Sequence, residues 1–335
     1  MKSAKQLKDI HLSILDLVPV RAGLSHAEAM HHSLEMAQQA EELGYKRYWI
    51  AEHHNTESLV SSATPLLIQY IAQGTTQIRV GSGGVMLPNH TPLIVAEQFG
   101  TLDTLFPGRI DLGLGRAPGT DQLTARALRR NRLESAEDFP RDVQELRFYL
   151  SKEGKEGAVK AIPGAGQEVP LYLLGSSTFS AHLAAALGLP YAFASHFAPT
   201  YLMEALEIYR SNFKSSEQTP EPYTIAGVNI VVADSDEEAD YLATTANLFA
   251  LNIIRNTRGP LQPPVRTMDE IWTPYEAAQI RQMRTYSFTG CSQTVARGLE
   301  EFIQKTQVDE IIVASYIFDK TAQFHSLELL SRLKK

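Results

Sequence analysis

Five groups in this 335-residue chain carry residue types suited to chemistry. Glu52-His53-His54 sets a carboxylate beside two imidazoles. Ser82-Gly83-Gly84 offers a hydroxyl and two residues without Cβ atoms. Arg116 closes a glycine-rich run, Gly175-Ser176-Ser177 pairs a flexible backbone with hydroxyls, and Ser195-His196 repeats the hydroxyl–imidazole pairing. Each group follows a short apolar run (47–51, 78–83, 109–114, 170–174 and 191–194), so a site is expected where a set of strands ends.

One imidazole suits general acid–base work, because its pKa lies near neutral pH. Neighbours on an extended chain point to opposite sides, so one of His53 and His54 at most faces a pocket. A histidine that only hydrogen-bonds within a rim is the other reading. Metal sites commonly set two histidines on the same side of a strand; adjacent ones do not, and no second ligand cluster is evident, so no metal is expected. Gly83-Gly84 permits close approach of a flat ligand to the main chain, or marks a bulge that serves packing. Gly175-Ser176-Ser177 with Thr178 puts free N–H groups and hydroxyls at a helix start, an anion site to which Arg116 could add a forked contact. Capping of that helix by Ser177 or Thr178 is the alternative. Cys291, the single cysteine, permits no internal disulfide and has no catalytic motif around it.

The elements that must hold these groups alternate. Residues 11–18 read as a strand. Ser25 and Glu28 have capping-box spacing before a helix that reaches 43, where Gly44 stops it. Strands are expected at 47–51, 78–83, 109–114, 170–174, 191–194, 224–233 and 310–314. Helices are expected at 62–73, 92–105, 133–150, 177–187, 201–214, 236–251, 292–306 and 321–333. Short, continuously apolar strands fit a parallel sheet covered on both faces. Eight repeats, and no GxGxxG after the first strand, favour an α/β fold of the (β/α)8 TIM-barrel type over an open dinucleotide-binding sheet. The expected organisation is one domain, 1–335. Residues 151–168 form a surface insertion with room for a short hairpin. Residues 252–290 form a long insertion before the last helix–strand unit, read as a lid loop with a helical patch at 275–283.

The formal charge of −7 speaks against nucleic acid or anionic membranes as partners. No apolar stretch reaches the length of a membrane span and no leader pattern is seen, so a cytoplasmic protein is expected.

In this order the blocks Ala51-Glu52-His53-His54-Asn55-Thr56, residues 80–88 (VGSGGVMLP), residues 107–116 (PGRIDLGLGR) and Leu174-Gly175-Ser176-Ser177 resemble the bacterial luciferase-like flavin-dependent oxidoreductases, in particular their single-chain members. The resemblance extends over essentially the whole chain. It implies a barrel, usually homodimeric, with FMN at the C-terminal mouth. It implies His53 as the active-site histidine and Ser82, Gly83 and Gly84 at the bulge under the flavin ring, where the family often has a cis peptide. Arg116, Gly175, Ser176 and Ser177 would lie near the flavin phosphate; the family's light-emitting α chain has an acidic residue at the position of Gly175. The implied reaction is a monooxygenation of a small organic substrate by reduced FMN and O2, the reduced FMN coming from a separate NAD(P)H-dependent reductase. Hydride transfer with a flavin or deazaflavin, a non-enzymatic flavin carrier and a metal-dependent hydrolase are the competing readings.

Overall fold

Eight parallel strands close on themselves in the computed structural model, which describes residues 4–117, 121–128 and 136–334. They are β1 (His11–Asp16), β2 (Arg47–Ile50), β3 (Arg79–Met86), β4 (Ile110–Gly115), β5 (Leu171–Gly175), β6 (Tyr191–Phe193), β7 (Thr224–Ala233) and β9 (Glu310–Ala314). Each pairs with its neighbour in the order given, and β9 returns to β1. β3 and β4 pair with a shift of register between Ser82 and Val85, a bulge in β3.

The helices α1 (His26–Glu42), α2 (Thr64–Gln73), α3 (Pro92–Leu105), α4 (Gln122–Leu128), α5 (Phe139–Leu150), α6 (Thr178–Leu187) and α7 (Leu202–Asn212) follow β1 to β6. Their ends obey local chemistry. Ser25 and Glu28 form the reciprocal capping box before α1, and Gly188, in the left-handed conformation, ends α6. The expected start of α5 at Leu133 lies outside the described residues.

Strand alternation sorts the core. Ile14, Tyr48, Ile50, Val80, Leu112, Leu173, Phe193, Val228 and Val313 face the helices in one large cluster. Leu15, Trp49, Tyr172, Ala192, Ile225 and Ile312 fill the barrel's middle. Below them, at the N-terminal end, the filling is ionic. Arg47 Nη1 reaches Asp111 at 2.7 Å and its Nε faces Glu310 at 2.8 Å, while Arg79 adds a second cation to Asp111. Above the middle, one pleat further along the strands, most residues are small, Ala51, Gly83, Ala194, Gly227 and Ala314, with Leu17 and Leu174 beside them. The barrel is filled by large side chains below and lined mostly by small ones at its C-terminal mouth.

The stretch after β7 departs from the sequence expectation. α8 (Asp236–Arg255) continues four residues past 251, until Asn256 takes a left-handed conformation. α9 (Pro274–Met283) is the expected helical patch, with its own capping box from Thr273 and Glu276. A ninth strand, β8 (Ser287–Cys291), pairs with the upper half of β7, Asn229–Ala233, beyond the rim. α8 packs on β7, β8 and α9, and α10 (Ser292–Thr306) is the helix that returns the chain to β9. The insertion thus carries regular structure at both its ends, around an irregular run at 256–273. Residues 151–168 hold a 3-10 turn at Glu153–Glu156 and no strand, so the expected hairpin is absent; with glycine at 154, 157, 164 and 166, few residues there suit a ladder. The last helix is α11 (Lys320–Arg332).

Candidate active site at the barrel mouth

Glu52 is two residues past β2 and only 1 % exposed, so its charge must be met inside the protein. One carboxylate oxygen accepts from His54 Nε2 at 2.8 Å and His90 Nε2 at 2.9 Å, and the other accepts from the Met86 amide at 3.0 Å. Burial acts to raise its pKa, but the bonds from His54 and His90 outweigh it and hold the carboxyl down at about 2. The ligand atoms of Glu52, His54 and His90 lie within 4.8 Å of one another, a spacing a metal ion could also bridge. Here two imidazole N–H groups and a carboxylate satisfy each other, tying β2 to the turn after β3.

This network separates the two adjacent histidines. His54 is held by Glu52, whereas His53 turns the other way and its buried Nδ1 has no hydrogen-bond partner among the described residues. Burial, opposed by Glu52, pushes the His53 pKa down to about 4. His196, three residues past β6, has the same character. Its Nδ1 is buried and unpartnered, and its pKa is pushed down to about 4 by burial and then by His53. β2 and β6 are four strands apart in a ring of eight, so the two rings come from opposite sides of the mouth. Gly227 makes room for His196: a Cβ there would lie 2.5 Å from Nδ1. Asn229 Nδ2 donates to the His196 carbonyl at 2.6 Å and fixes the loop. Sequence reasoning offered His196 as a residue that lines the substrate pocket or only packs the rim, and it did not single out His90.

Gly83 and Gly84 sit in the bulge of β3, joined by a cis peptide. A Cβ on Gly83 would lie 2.6 Å from Leu15 and one on Gly84 2.7 Å from the Gly113 carbonyl, so the bulge takes no side chains. Ser82 is placed otherwise. Its hydroxyl donates to the Gly113 carbonyl and accepts from the Gly113 amide, which pins the bulge to β4 and leaves no free donor for a ligand.

The remaining predicted residues gather beyond β4 and β5. Arg116 stacks its guanidinium 4.1 Å from the Phe179 ring, in the first turn of α6. Among the described residues no carboxylate pairs with it. Ser177 is the N-cap of α6, yet its side chain makes no capping bond. Gly175, Ser176 and Ser177 are all half-buried there. A cation and the uncapped start of a ten-residue helix therefore converge at one edge of the mouth, an arrangement suited to an oxyanion.

The insertion overlies the opposite edge. Leu261 pairs with the backbone of Val20 and Ala22, and Arg258 donates to the Asn55 carbonyl at 3.1 Å, two residues from His53. A recess of about 310 Å3 lies between the β6–α7 loop and α9, lined by Phe197, Pro199, Thr200, Ile254, Gln282 and Met283. Phe197 meets His196 edge to face at 5.0 Å. No helix among the described residues is long and apolar enough to cross a membrane.

Comparison with known proteins gives a consistent result. The model of the family described as luciferase-like monooxygenase matches residues 10–309. A luciferase-like monooxygenase of Escherichia coli (strain K12) is 49 % identical over 328 residues, 98 % of each chain. The crystal structure of apo-MsnO8 superposes with a TM-score of 0.86 at 34 % identity, covering 97 % of this chain and 98 % of that one. At 19 % identity and a TM-score of 0.74, the oxygenating constituent of 3,6-diketocamphane monooxygenase from the CAM plasmid of Pseudomonas putida, a type II Baeyer–Villiger monooxygenase in complex with FMN, shares the fold over 96 % of this chain and 97 % of that one.

Proposed function

The chain belongs to the luciferase-like monooxygenases, and from that premise we propose that it is an FMN-dependent monooxygenase acting at the barrel mouth. One observation carries the cofactor. The mouth combines a shelf too tight for side chains at Gly83-Gly84 with two buried imidazole nitrogens, on His53 and His196, that nothing among the described residues satisfies. Buried polar atoms are almost always paired, so two orphans from opposite sides of the mouth point to a polar ligand between them. Arg116 and the start of α6, with Ser176 and Ser177, would hold its phosphate; the Gly83-Gly84 bulge and the small residues of the top layer would take its ring. The chemistry such a group supplies when bound is two-electron activation of dioxygen.

The chain's own residues have separable parts. His53 is neutral at physiological pH, so its Nδ1 can accept or return a proton at the reacting centre, whereas His54 is committed to Glu52. The small and aliphatic residues of the top layer, over Trp49 and Tyr172, leave no polar surface to hold bulk water at the reacting centre. The insertion, residues 252–290, acts as the cover, with Arg258 latching to the loop that carries His53. No dinucleotide fingerprint follows β1, which supports a separate NAD(P)H-dependent reductase as the source of reduced FMN. A small organic substrate, a homodimer and a cytoplasmic setting complete the reading.

The test is oxygen uptake with enzymatically reduced FMN across a panel of aldehydes, ketones, thioethers and organic acids. Substrate-dependent loss of hydrogen peroxide release, with an oxygenated product, is the expected result. Full conversion of oxygen to hydrogen peroxide with every compound would count against it.

A further inference from the structure

Among the described residues, guanidinium groups drawn into this protein are mostly met by oxygens; apart from Arg116, which stacks on Phe179, Arg284 stands out at the mouth. Arg47 and Arg79 meet Asp111 and Glu310. Arg109 is caged by the carbonyls of Ala72, Thr75 and Ile78. Arg21 donates to the carbonyls of Ile317 and Phe318 and to Gln323. The guanidinium of Arg284, just after α9, makes a single bond among the described residues, from Nη1 to the side-chain carbonyl of Asn247 on α8. A guanidinium has five N–H donors in a planar fork, so most of its capacity is unused. The other group facing it is Tyr316, two residues past β9, whose ring stacks on Phe249 at 4.9 Å. No carboxylate lies in ion-pair range of it among the described residues. Burial pushes its pKa down to about 10, which leaves it charged at neutral pH. Arg284 is half-buried, and a cation held there without an anion keeps N–H groups open to something outside the chain.

Position narrows what that something is. β9 and β4 are four strands apart in the ring of eight, so the rim beside Tyr316 is opposite the rim beside Arg116. The edge proposed for the cofactor phosphate is therefore on the far side. We propose that Arg284 recognises an anionic group on the substrate, a carboxylate taken by its free fork, with the Phe249–Tyr316 pair beside it receiving an apolar body. The substrate class is then a small organic acid with an aliphatic or aromatic part. This rests on the mouth being the active site.

The experiment is calorimetric titration of the FMN-saturated full chain with hexanoate and with hexanamide, equal in shape but differing in charge, alongside an FMN titration of the same samples. In the unaltered protein hexanoate is expected to bind about tenfold more tightly or better, the worth of a charge-assisted bond. Arg284→Gln should bring the two ligands to within about twofold while FMN affinity stays within about twofold. Arg284→Lys should keep part of the preference. Arg284→Gln is expected to melt no lower than the parent, because it removes an unanswered charge. Equal binding of acid and amide by the unaltered protein, or a preference that survives Arg284→Gln, would overturn the proposal. So would a loss of FMN affinity of about tenfold in Arg284→Gln, which would assign the cation to the cofactor. Failure of the unaltered protein to bind FMN at all would show separately that the active-site reading is at fault.

Discussion

The floor and the mouth of the barrel hold similar inventories of charged and polar groups and treat them in opposite ways. At the floor, Arg47, Arg79, Asp111 and Glu310 form a closed set, joined by Lys46 and by Tyr223, whose hydroxyl donates to Glu310 at 2.6 Å. At the mouth, His53, His196, Arg116 and Arg284 each have buried or half-buried atoms with little or no partner among the described residues. The strands are the same and the residues above and below are separated by a few pleats. Closed networks serve the fold; open ones await a ligand. Glu52 marks the border, since its network with His54 and His90 is satisfied yet holds the loop on which His53 stands.

The largest effect that would break this contrast lies at the floor. Arg47→Ala leaves Asp111 and Glu310 without their shared cation, and a loss of about 3–5 kcal/mol is expected in denaturant unfolding. A change near zero would mean that the floor is not a closed network. The next effect belongs to the mouth and is read by pH. An unfolded histidine takes up a proton near pH 6.5, whereas His53 and His196 in the folded protein do so only near pH 4. Between those values the unfolded chain binds more protons, so stability is full above pH 6.5 and falls as pH drops toward 4. The expected loss is about 3 kcal/mol for each ring. Replacing both with Gln should flatten that slope; an unchanged slope would show that the rings are hydrated and paired after all.

His53→Ala comes third. Turnover should fall about a hundredfold, the usual worth of a positioned acid–base group, with flavin affinity little altered. Steady-state rates and a flavin titration check both halves. The smallest effect sharpens the picture of the opposite wall: Gly227→Ala puts a methyl against the His196 ring, and a destabilisation of about 1–3 kcal/mol is expected from the clash.

Much of the fold was legible because barrel strands buried on both faces are written as apolar runs, and because local signals such as Ser25–Glu28 and Gly188 mark helix ends directly. β8 was not legible. Its Ser287-Phe288-Thr289-Gly290-Cys291 is neither an apolar run nor an alternating one, and pairing with the overhang of β7 creates it. The end of α8 was placed too early because nothing in residues 252–255 stops a helix; Asn256 does. In the site, alternation said that one histidine of the pair faces inward and the resemblance pointed to His53; the bonds that hold His54 supply a physical reason for that choice. His90 and Arg284 carry no local mark at all. What distinguishes them is the company they keep, Glu52 in one case and the lack of any acid in the other. Ser82 shows the converse, a residue in the right motif whose hydroxyl is taken up by Gly113.

The central claim is that the mouth holds a flavin with its phosphate between Arg116 and the start of α6. Fluorescence titration with FMN and with riboflavin, which lacks the phosphate, tests it most directly. The account predicts that FMN binds about tenfold or more tightly than riboflavin, and that Arg116→Met removes most of this difference. Equal affinity for the two flavins, or a phosphate preference untouched by Arg116→Met, would contradict it.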